Sequence, residues 1–434
     1  MLVLYNIVLL LGGLVLIPFY LVKMWRTGKY RRSFWQRLGN YRRDQFLKNK
    51  PEPLVWIHGC SVGETMASFP LLEKLKHDFP DRQFLSSVVT ETGFTVAEKE
   101  QLADQVIYFP LDFPFSVRRA FDGFSPGILI IMETEIWPNV FWQASRRNIP
   151  IIIANGRISD KSFPTYQSYR WFFKHVLTEV DLFCMQSDEE ASRIIGIGAP
   201  SSRVLVTGNT KFDQIDRVVR RTCPDNLRQM LQIPEGKSVL VGGSTHYNEE
   251  KQVVTAYKEL CSRFPDMVLI LAPRHPERIP DVFDYLVNEC LDPVLLSDLR
   301  NESSPPPLDS SSVPGVVLVD TVGDLAALYS LATVVFVGGS LVPAGGHNIL
   351  EPAAFGKPVI FGPHTFNFVE ETLLLKGNGG FQIEDHRELT DCLLDLLSDR
   401  EKILQAGTRA RSAIETRTGS SQSIIDAIKE RKLI

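Results

Sequence analysis

The 434-residue chain lacks the residues and spacings that mark several large classes of protein. Its six cysteines (Cys60, Cys184, Cys223, Cys261, Cys290 and Cys392) are scattered, with no CxxC and no Cys/His grouping at metal-ligand spacing, which argues against a disulfide framework or a zinc module. There is no HExxH, no EF-hand loop and no GxxxxGK[ST], so the sequence offers no metal site and no P-loop for ATP or GTP hydrolysis. Basic excess is missing as well: the formal net charge is -4, and a diffuse nucleic-acid binder is excluded for the main body. Finally, the 21 residues Leu2–Val22 carry no charged side chain at all.

That last absence is followed by a concentration. Residues 23–50 hold ten Lys or Arg against the single Asp44, a net +9, which leaves residues 51–434 at -13. At about 1.5 Å rise per residue, a helix of 21 apolar residues reaches across roughly 30 Å of hydrocarbon. Nothing basic precedes the run, and Lys, Trp and Arg follow it. The pattern therefore predicts an uncleaved transmembrane anchor over 1–22 with its basic flank, and all that follows, on the cytoplasmic side of the membrane. The other reading of the run is a buried core helix. The collar of 23–50 carries Trp25, Tyr30, Phe34, Trp35 and Phe46 among its cations, as a segment resting on anionic inner-membrane lipid would.

Beyond residue 50 the chain alternates short β-branched apolar runs with helical stretches, the signature of βαβ units and parallel sheet. Seven such runs lie at 54–60, 83–90, 105–110, 127–133, 149–156, 181–186 and 203–209, and five more at 237–244, 267–273, 315–320, 333–340 and 357–363. The fold class expected is α/β with two Rossmann-like domains, 51–212 and 237–404, joined by a strand-free linker 213–236 and closed by helices over 405–434. The Ser/Pro-rich stretch 301–314 reads as a surface loop. Ligands of open α/β sheets sit at the carboxyl ends of the strands, so the site is expected there, in the cleft between the domains.

Several strand ends carry chemistry. His58-Gly59-Cys60-Ser61-Val62-Gly63-Glu64 runs from buried strand through a glycine turn into a helix, placing Glu64 either as a helix cap or as an ionised site carboxylate. The apolar run GILII delivers Glu133 and Glu135, which at strand alternation share a side; buried charge of this kind calls for a partner, such as Arg157 or Lys211, or a function. Lys211 stands where a cation can neutralise a leaving phosphate. In the second half, Pro273-Arg274, the turn Val322-Gly323-Asp324, and Gly345-Gly346-His347-Asn348 leading into Ile349-Leu350-Glu351 present backbone N–H groups and a guanidinium to an anion, and an acid to a ribose hydroxyl.

In family order these motifs, with Trp137-Pro138-Asn139, Ala154-Asn155-Gly156-Arg157, Lys211-Phe212-Asp213, Pro273 to Arg278, Gly338-Gly339-Ser340 and Gly362 to Phe368, resemble the 3-deoxy-D-manno-octulosonic acid (Kdo) transferases, glycosyltransferases of the GT-B fold. The resemblance implies inverting, metal-independent transfer of Kdo from the donor substrate CMP-Kdo to a lipid A precursor, lipid IVA, in lipopolysaccharide core biosynthesis, with no further cofactor. It implies Glu64 as general base, Glu133 and Lys211 as transition-state stabilisers, and Pro273, Arg274, Val322, Gly323, Asp324, Asn348, Ile349, Leu350 and Glu351 as CMP-binding residues. Val322 and Asp324 depart from the Met and Glu expected there. Arg157 is a candidate partner of the Kdo carboxylate, and the final helices are expected to return to the first domain. Two rivals share the fold: a GT-B enzyme using a UDP-sugar and another lipid acceptor, and an inactive sugar-nucleotide-binding membrane scaffold.

Overall fold

The computed structural model describes residues 2–27, 31–46, 53–231, 233–301 and 315–434. Residues 28–30 and 47–50 of the basic segment, and nearly all of the expected Ser/Pro loop, lie outside these residues. The chain forms two compact units, Met1–Gln214 with Thr418–Ile434, and Ile215–Arg417.

Unit 1 is built on seven strands: β1 Leu54–Gly59, β2 Phe84–Val88, β3 Gln105–Tyr108, β4 Pro126–Met132, β5 Ile151–Gly156, β6 Leu182–Met185 and β7 Val204–Val206. They pair in parallel in the order β3-β2-β1-β4-β5-β6-β7. Central strands such as β1, buried along its whole length, need side chains apolar on both faces, which is why they read as continuous runs rather than as alternation. Helices cover both faces, and the order reverses beside β1, so that the carboxyl ends of β1 and β4 lie side by side. The C-terminal helix Ser420–Glu430 joins this unit: Ile424, Ile425 and Ile428 are fully buried in one cluster with Val55, Leu71 and Ile130.

Unit 2 also has seven parallel strands: β8 Val239–Thr245, β9 Val268–Pro273, β10 Pro293–Leu295, β11 Val316–Leu318, β12 Val334–Val337, β13 Val359–Phe361 and β14 Gly380–Gln382, ordered β10-β11-β9-β8-β12-β13-β14. Two of these, β10 and β14, answer to no expected run; each is three residues at a sheet edge. Residues 213–236 contain the end of helix Thr210–Arg221 and a second helix, Pro224–Met230. The helix Arg400–Glu415 stays with unit 2, and the chain returns to unit 1 only from Thr418.

Residues Leu2–Thr27 form a single helix. Among the described residues no helix is long and apolar enough to cross a membrane, so the expected spanning anchor has no support from the structure. The side chains of residues 16–25 and of Thr27 lie outside the described residues. Near its start this helix is hydrogen bonded to unit 1, through Tyr5 to Asp112 and Asn6 to Asn139, contacts that an isolated spanning segment does not make.

Candidate active site

The residues singled out in the first half of the chain gather at the carboxyl ends of adjacent strands. After β1 the chain turns at Gly59, where an added Cβ would meet the Thr65 backbone nitrogen at 3.0 Å. Ser61 then caps the helix Val62–Asp78: its Oγ accepts from the Glu64 N–H at 3.3 Å and donates to Glu64 Oε1 at 2.9 Å, while Cys60 N–H donates to Oε2 at 2.6 Å. Glu64 is thus both a capping acid and a buried, pre-oriented carboxylate, 8% exposed. The two readings of this position are compatible.

β4 ends at Met132, so strand alternation does not extend to Glu133 and Glu135. Glu133 adopts the left-handed region with φ 57°, its N–H held by Ala154 O at 2.8 Å. Burial raises the Glu133 carboxyl to about 7; the Glu64 charge pushes in the same direction, as does that of Glu135, and Arg157 and Lys211 pull against them. Glu135 is also raised, first by burial and then by Glu64. Cys60 Sγ and one oxygen each of Glu64 and Glu135 lie within 4.8 Å of one another. Burial, with the charges of Glu135 and Glu64, pushes the Cys60 thiol up to about 12, so on its own it stays protonated near neutrality.

The cations on this edge are held by their backbones. Arg157 N–H donates to Thr134 Oγ1 at 2.9 Å, tying it to the segment that carries Glu133 and Glu135. Buried Asn155, itself at φ 58°, accepts from Thr210 N–H through Oδ1 at 3.0 Å, and Asn209 Oδ1 accepts from Lys211 N–H at 2.9 Å. Gln186 bridges Asn155 and Asn209. Asn155 and Gln186 thereby fix the start of the helix that presents Lys211. The Ala154-Asn155-Gly156-Arg157 motif contained Asn155, but its positioning role depends on a residue 55 positions away.

In unit 2 the expected residues follow β9, β11 and β12. Arg274, at the turn off β9, is exposed, with its N–H on Thr245 O at 2.9 Å. Gly323 takes φ 99°, a left-handed value that suits glycine, and leaves Val322 83% exposed. Asp324 is engaged on the protein: Arg300 donates to both its oxygens at 2.9 and 2.7 Å. Asn348 bonds Glu351 Oε1 at 2.9 Å and caps Leu350 N–H at 3.1 Å.

Three residues the sequence reading passed over organise this edge. Glu249 is fully buried; its Oε2 accepts from His246 N–H and Gly339 N–H at 2.8 and 2.6 Å, and its Oε1 from Ser340 N–H and Leu341 N–H at 3.0 and 2.9 Å. That carboxylate folds the Gly338-Gly339-Ser340 loop. Glu250, next in sequence and 2% exposed, takes both terminal nitrogens of Arg278 at 2.6 and 3.2 Å and so holds the turn bearing Arg274. His246 stacks on His347 with their Nε2 atoms 2.8 Å apart, one donating and the other accepting. Burial, reinforced by His246, Arg274 and His275, lowers His347 to about 4, so the pair is neutral at pH 7. The available signal was a pair of acids opening the helix Glu249–Cys261 directly after a strand end.

Residues 32–214 match the family described as 3-Deoxy-D-manno-octulosonic-acid transferase (kdotransferase). The chain is 32% identical over 410 residues to the 3-deoxy-D-manno-octulosonic acid transferase of Haemophilus influenzae, covering 93% of this chain and 92% of that one. It is 30% identical over 407 residues to the transferase of the same name from Chlamydia pneumoniae, covering 92% and 89%. Among solved structures, UDP-GlcNAc 2-epimerase from Neisseria meningitidis shares the fold, with TM-score 0.59 at 14% identity over 87% of this chain and 99% of that one. Similarity of this extent, running through both units and nearly the full length of its relatives, means that the chain belongs to the 3-deoxy-D-manno-octulosonic acid transferase family.

Proposed function

We propose that the protein transfers Kdo from CMP-Kdo to a lipid A precursor, lipid IVA, by a single inverting displacement. The observation that carries this reading is the gathering of Glu64, Glu133 and Glu135 with Arg157 and Lys211 on one strand edge, in a chain of this family. Glu64 takes the proton from the acceptor hydroxyl as its oxygen attacks the anomeric carbon of Kdo. The bond from that carbon to the CMP phosphate oxygen breaks, and its electron pair leaves with CMP. Both Glu64 oxygens are already oriented by Cys60 N–H and Ser61 Oγ, which lowers the cost of aiming the base. Glu133, when ionised, faces the positive charge that develops on the ring, and Lys211 faces the departing phosphate.

CMP rests on unit 2, with Pro273 and Arg274 at the phosphate, the turn Val322-Gly323-Asp324 beside the base, and Asn348 to Glu351 at the ribose. Val322 offers an open apolar contact, and Glu351 an acceptor for a sugar hydroxyl. The Arg300–Asp324 pair fixes the turn and leaves its backbone to meet the ligand.

The test is transfer of radiolabelled Kdo from CMP-Kdo to lipid IVA by the full-length protein. Glu64→Ala is expected to lower the rate by about a hundredfold or more while CMP affinity stays within about twofold. Turnover by that variant at the parent rate overturns the base assignment. Transfer from a UDP-sugar in place of CMP-Kdo overturns the donor, and CMP binding without transfer to any acceptor reduces the protein to a scaffold.

A further inference from the structure

Unit 2 has a cavity at the amino ends of its strands, the opposite edge of the sheet from the strand ends described above. Thr333 immediately precedes β12 and Lys357 stands two residues before β13, and both line a space of about 300 Å³ with Phe355, Ile403, Leu404 and Arg411. Thr333 is committed to the fold, its Oγ1 accepting the Val239 N–H at 2.9 Å, and Arg411 holds Glu415 through Nε at 2.6 Å. Lys357 is not so engaged: it is half-buried, and its Nζ has no hydrogen-bond or ion-pair partner among the described residues.

The backbone keeps this lysine in place. The helix Leu350–Ala354 ends in Phe355-Gly356-Lys357-Pro358, with Gly356 N–H on Ala353 O at 2.9 Å and Lys357 N–H on Pro352 O at 3.2 Å, the paired bonds of a helix end closed by a left-handed glycine, here at φ 69°. Pro358 then confines Lys357 to extended backbone. The helix Arg400–Glu415 packs on the turn so closely that a Cβ on Gly407 would clash with Gly356 O. A fixed turn therefore delivers the amine to the cavity.

An amine in these surroundings changes character. Burial against the apolar walls, and then the Arg228 guanidinium, itself held on Pro234 O at 3.0 Å, lower the Lys357 ammonium to about 8. At pH 8 about half of it is free amine, against roughly 0.3% for a lysine at 10.5. Desolvation and a neighbouring cation are the two devices that turn a lysine into a nucleophile. The same cations favour an electrophile that carries a phosphate, and the volume admits a small one.

We infer that Lys357 is a modification site, acylated on Nζ by small acyl phosphates that enter this cavity. The neutral amine attacks the acyl carbon and the C–N bond forms; the bond from that carbon to the phosphate oxygen breaks, its electron pair leaves with phosphate, and the proton lost from nitrogen ends on phosphate. Arg228 and Arg411 offset the negative charge of the entering reagent and of the departing phosphate. The product is an uncharged amide, which apolar walls accommodate at less cost than an unpaired ammonium. The inference stands apart from the transfer reaction and does not need it.

The test is a pulse of acetyl phosphate on the full-length folded protein, with the acetylated fraction of each lysine read by peptide mass spectrometry. At pH 8, Lys357 is expected to react about tenfold faster than the exposed Lys99 and Lys251, and its rate to level off by about pH 9 while theirs keep climbing. Excess inorganic phosphate is expected to slow Lys357 about threefold or more and to leave Lys99 unchanged, and unfolding in urea to abolish the preference. A Lys357 rate no greater than that of Lys99 overturns the proposal. So does a preference that survives urea, because the local sequence rather than the cavity would then produce it, and a fast rate that inorganic phosphate leaves unchanged overturns the acyl phosphate as the reagent.

Discussion

At the residue scale, Glu133 is the position where environment and chemistry meet. Its carboxyl, raised to about 7 by burial and by Glu64, is half-protonated near neutral pH, yet the proposed role needs the carboxylate. Activity is therefore expected to climb from pH 6 to pH 8, and Glu133→Gln, slow at every pH, to lose that climb; pH profiles of kcat/KM decide it. Stability carries the opposite sign. Between the ordinary value, 4.5, and about 7 the folded state binds the proton more tightly than the unfolded chain, so the stabilisation is present at low pH and lost as pH rises through that window. Glu133→Gln is then expected to gain about 1–2 kcal/mol relative to the parent at pH 8 compared with pH 5, measured by urea unfolding at both, the figure reduced for the partial exposure of the group. The need for a partner was legible from GILIIMETE, because buried carboxylates demand one. The left-handed backbone at Glu133 was not, since strand periodicity carries no information about where the strand stops.

At the scale of elements, the helix Glu249–Cys261 shows how two adjacent acids at one helix start organise two loops. Each Glu249 oxygen accepts two N–H donors, so Glu249→Gln turns an amide donor toward two of them. The substitution is expected to cost about 2–4 kcal/mol in denaturant unfolding and to weaken CMP binding at least tenfold by calorimetry. Glu250→Gln keeps one acceptor for Arg278, and the expected loss is smaller, about 1–2 kcal/mol. The glycine-rich loops were visible in the sequence because glycine is required where backbones approach closely: a Cβ on Gly338 would meet Ser244 O at 2.6 Å. Glu249 was not visible, because acids in a first helical turn are common for the macrodipole alone, and its four donors come from residues up to 92 positions away. The surrounding run, not strand length, explains the rest. The three-residue strands β7, β11 and β13 lie within longer β-branched apolar runs, whereas the equally short edge strands β10 and β14 open on Pro293 and Gly380 and lack such a run.

At the scale of the whole chain, the path leaves unit 1 after Gln214 and returns at Thr418, and one carboxylate ties the two passages together. Asp213, buried, accepts the N–H groups of Gly419 and Ser421, both at 2.6 Å, at the start of the C-terminal helix whose isoleucines fill the core beneath β1 and β4. Lys211 and Asp213 share a single helical turn, so the motif Lys211-Phe212-Asp213 joins a site cation to the clamp that closes unit 1. Ile428→Ala, which only removes packing, is expected to cost about 2–4 kcal/mol and to leave the kinetics of the surviving folded protein unchanged. Asp213→Ala removes two charge-assisted hydrogen bonds, and the same order of stability, about 2–3 kcal/mol, should go with them. Its kinetic effect is expected to differ: with the helix start released, Lys211 loses its aim, and kcat falls about tenfold while CMP affinity, proposed above to rest on unit 2, stays within about twofold. Measuring both variants at a temperature where each is fully folded separates the two roles, because an equal loss of kcat in Ile428→Ala would trace the effect to stability alone.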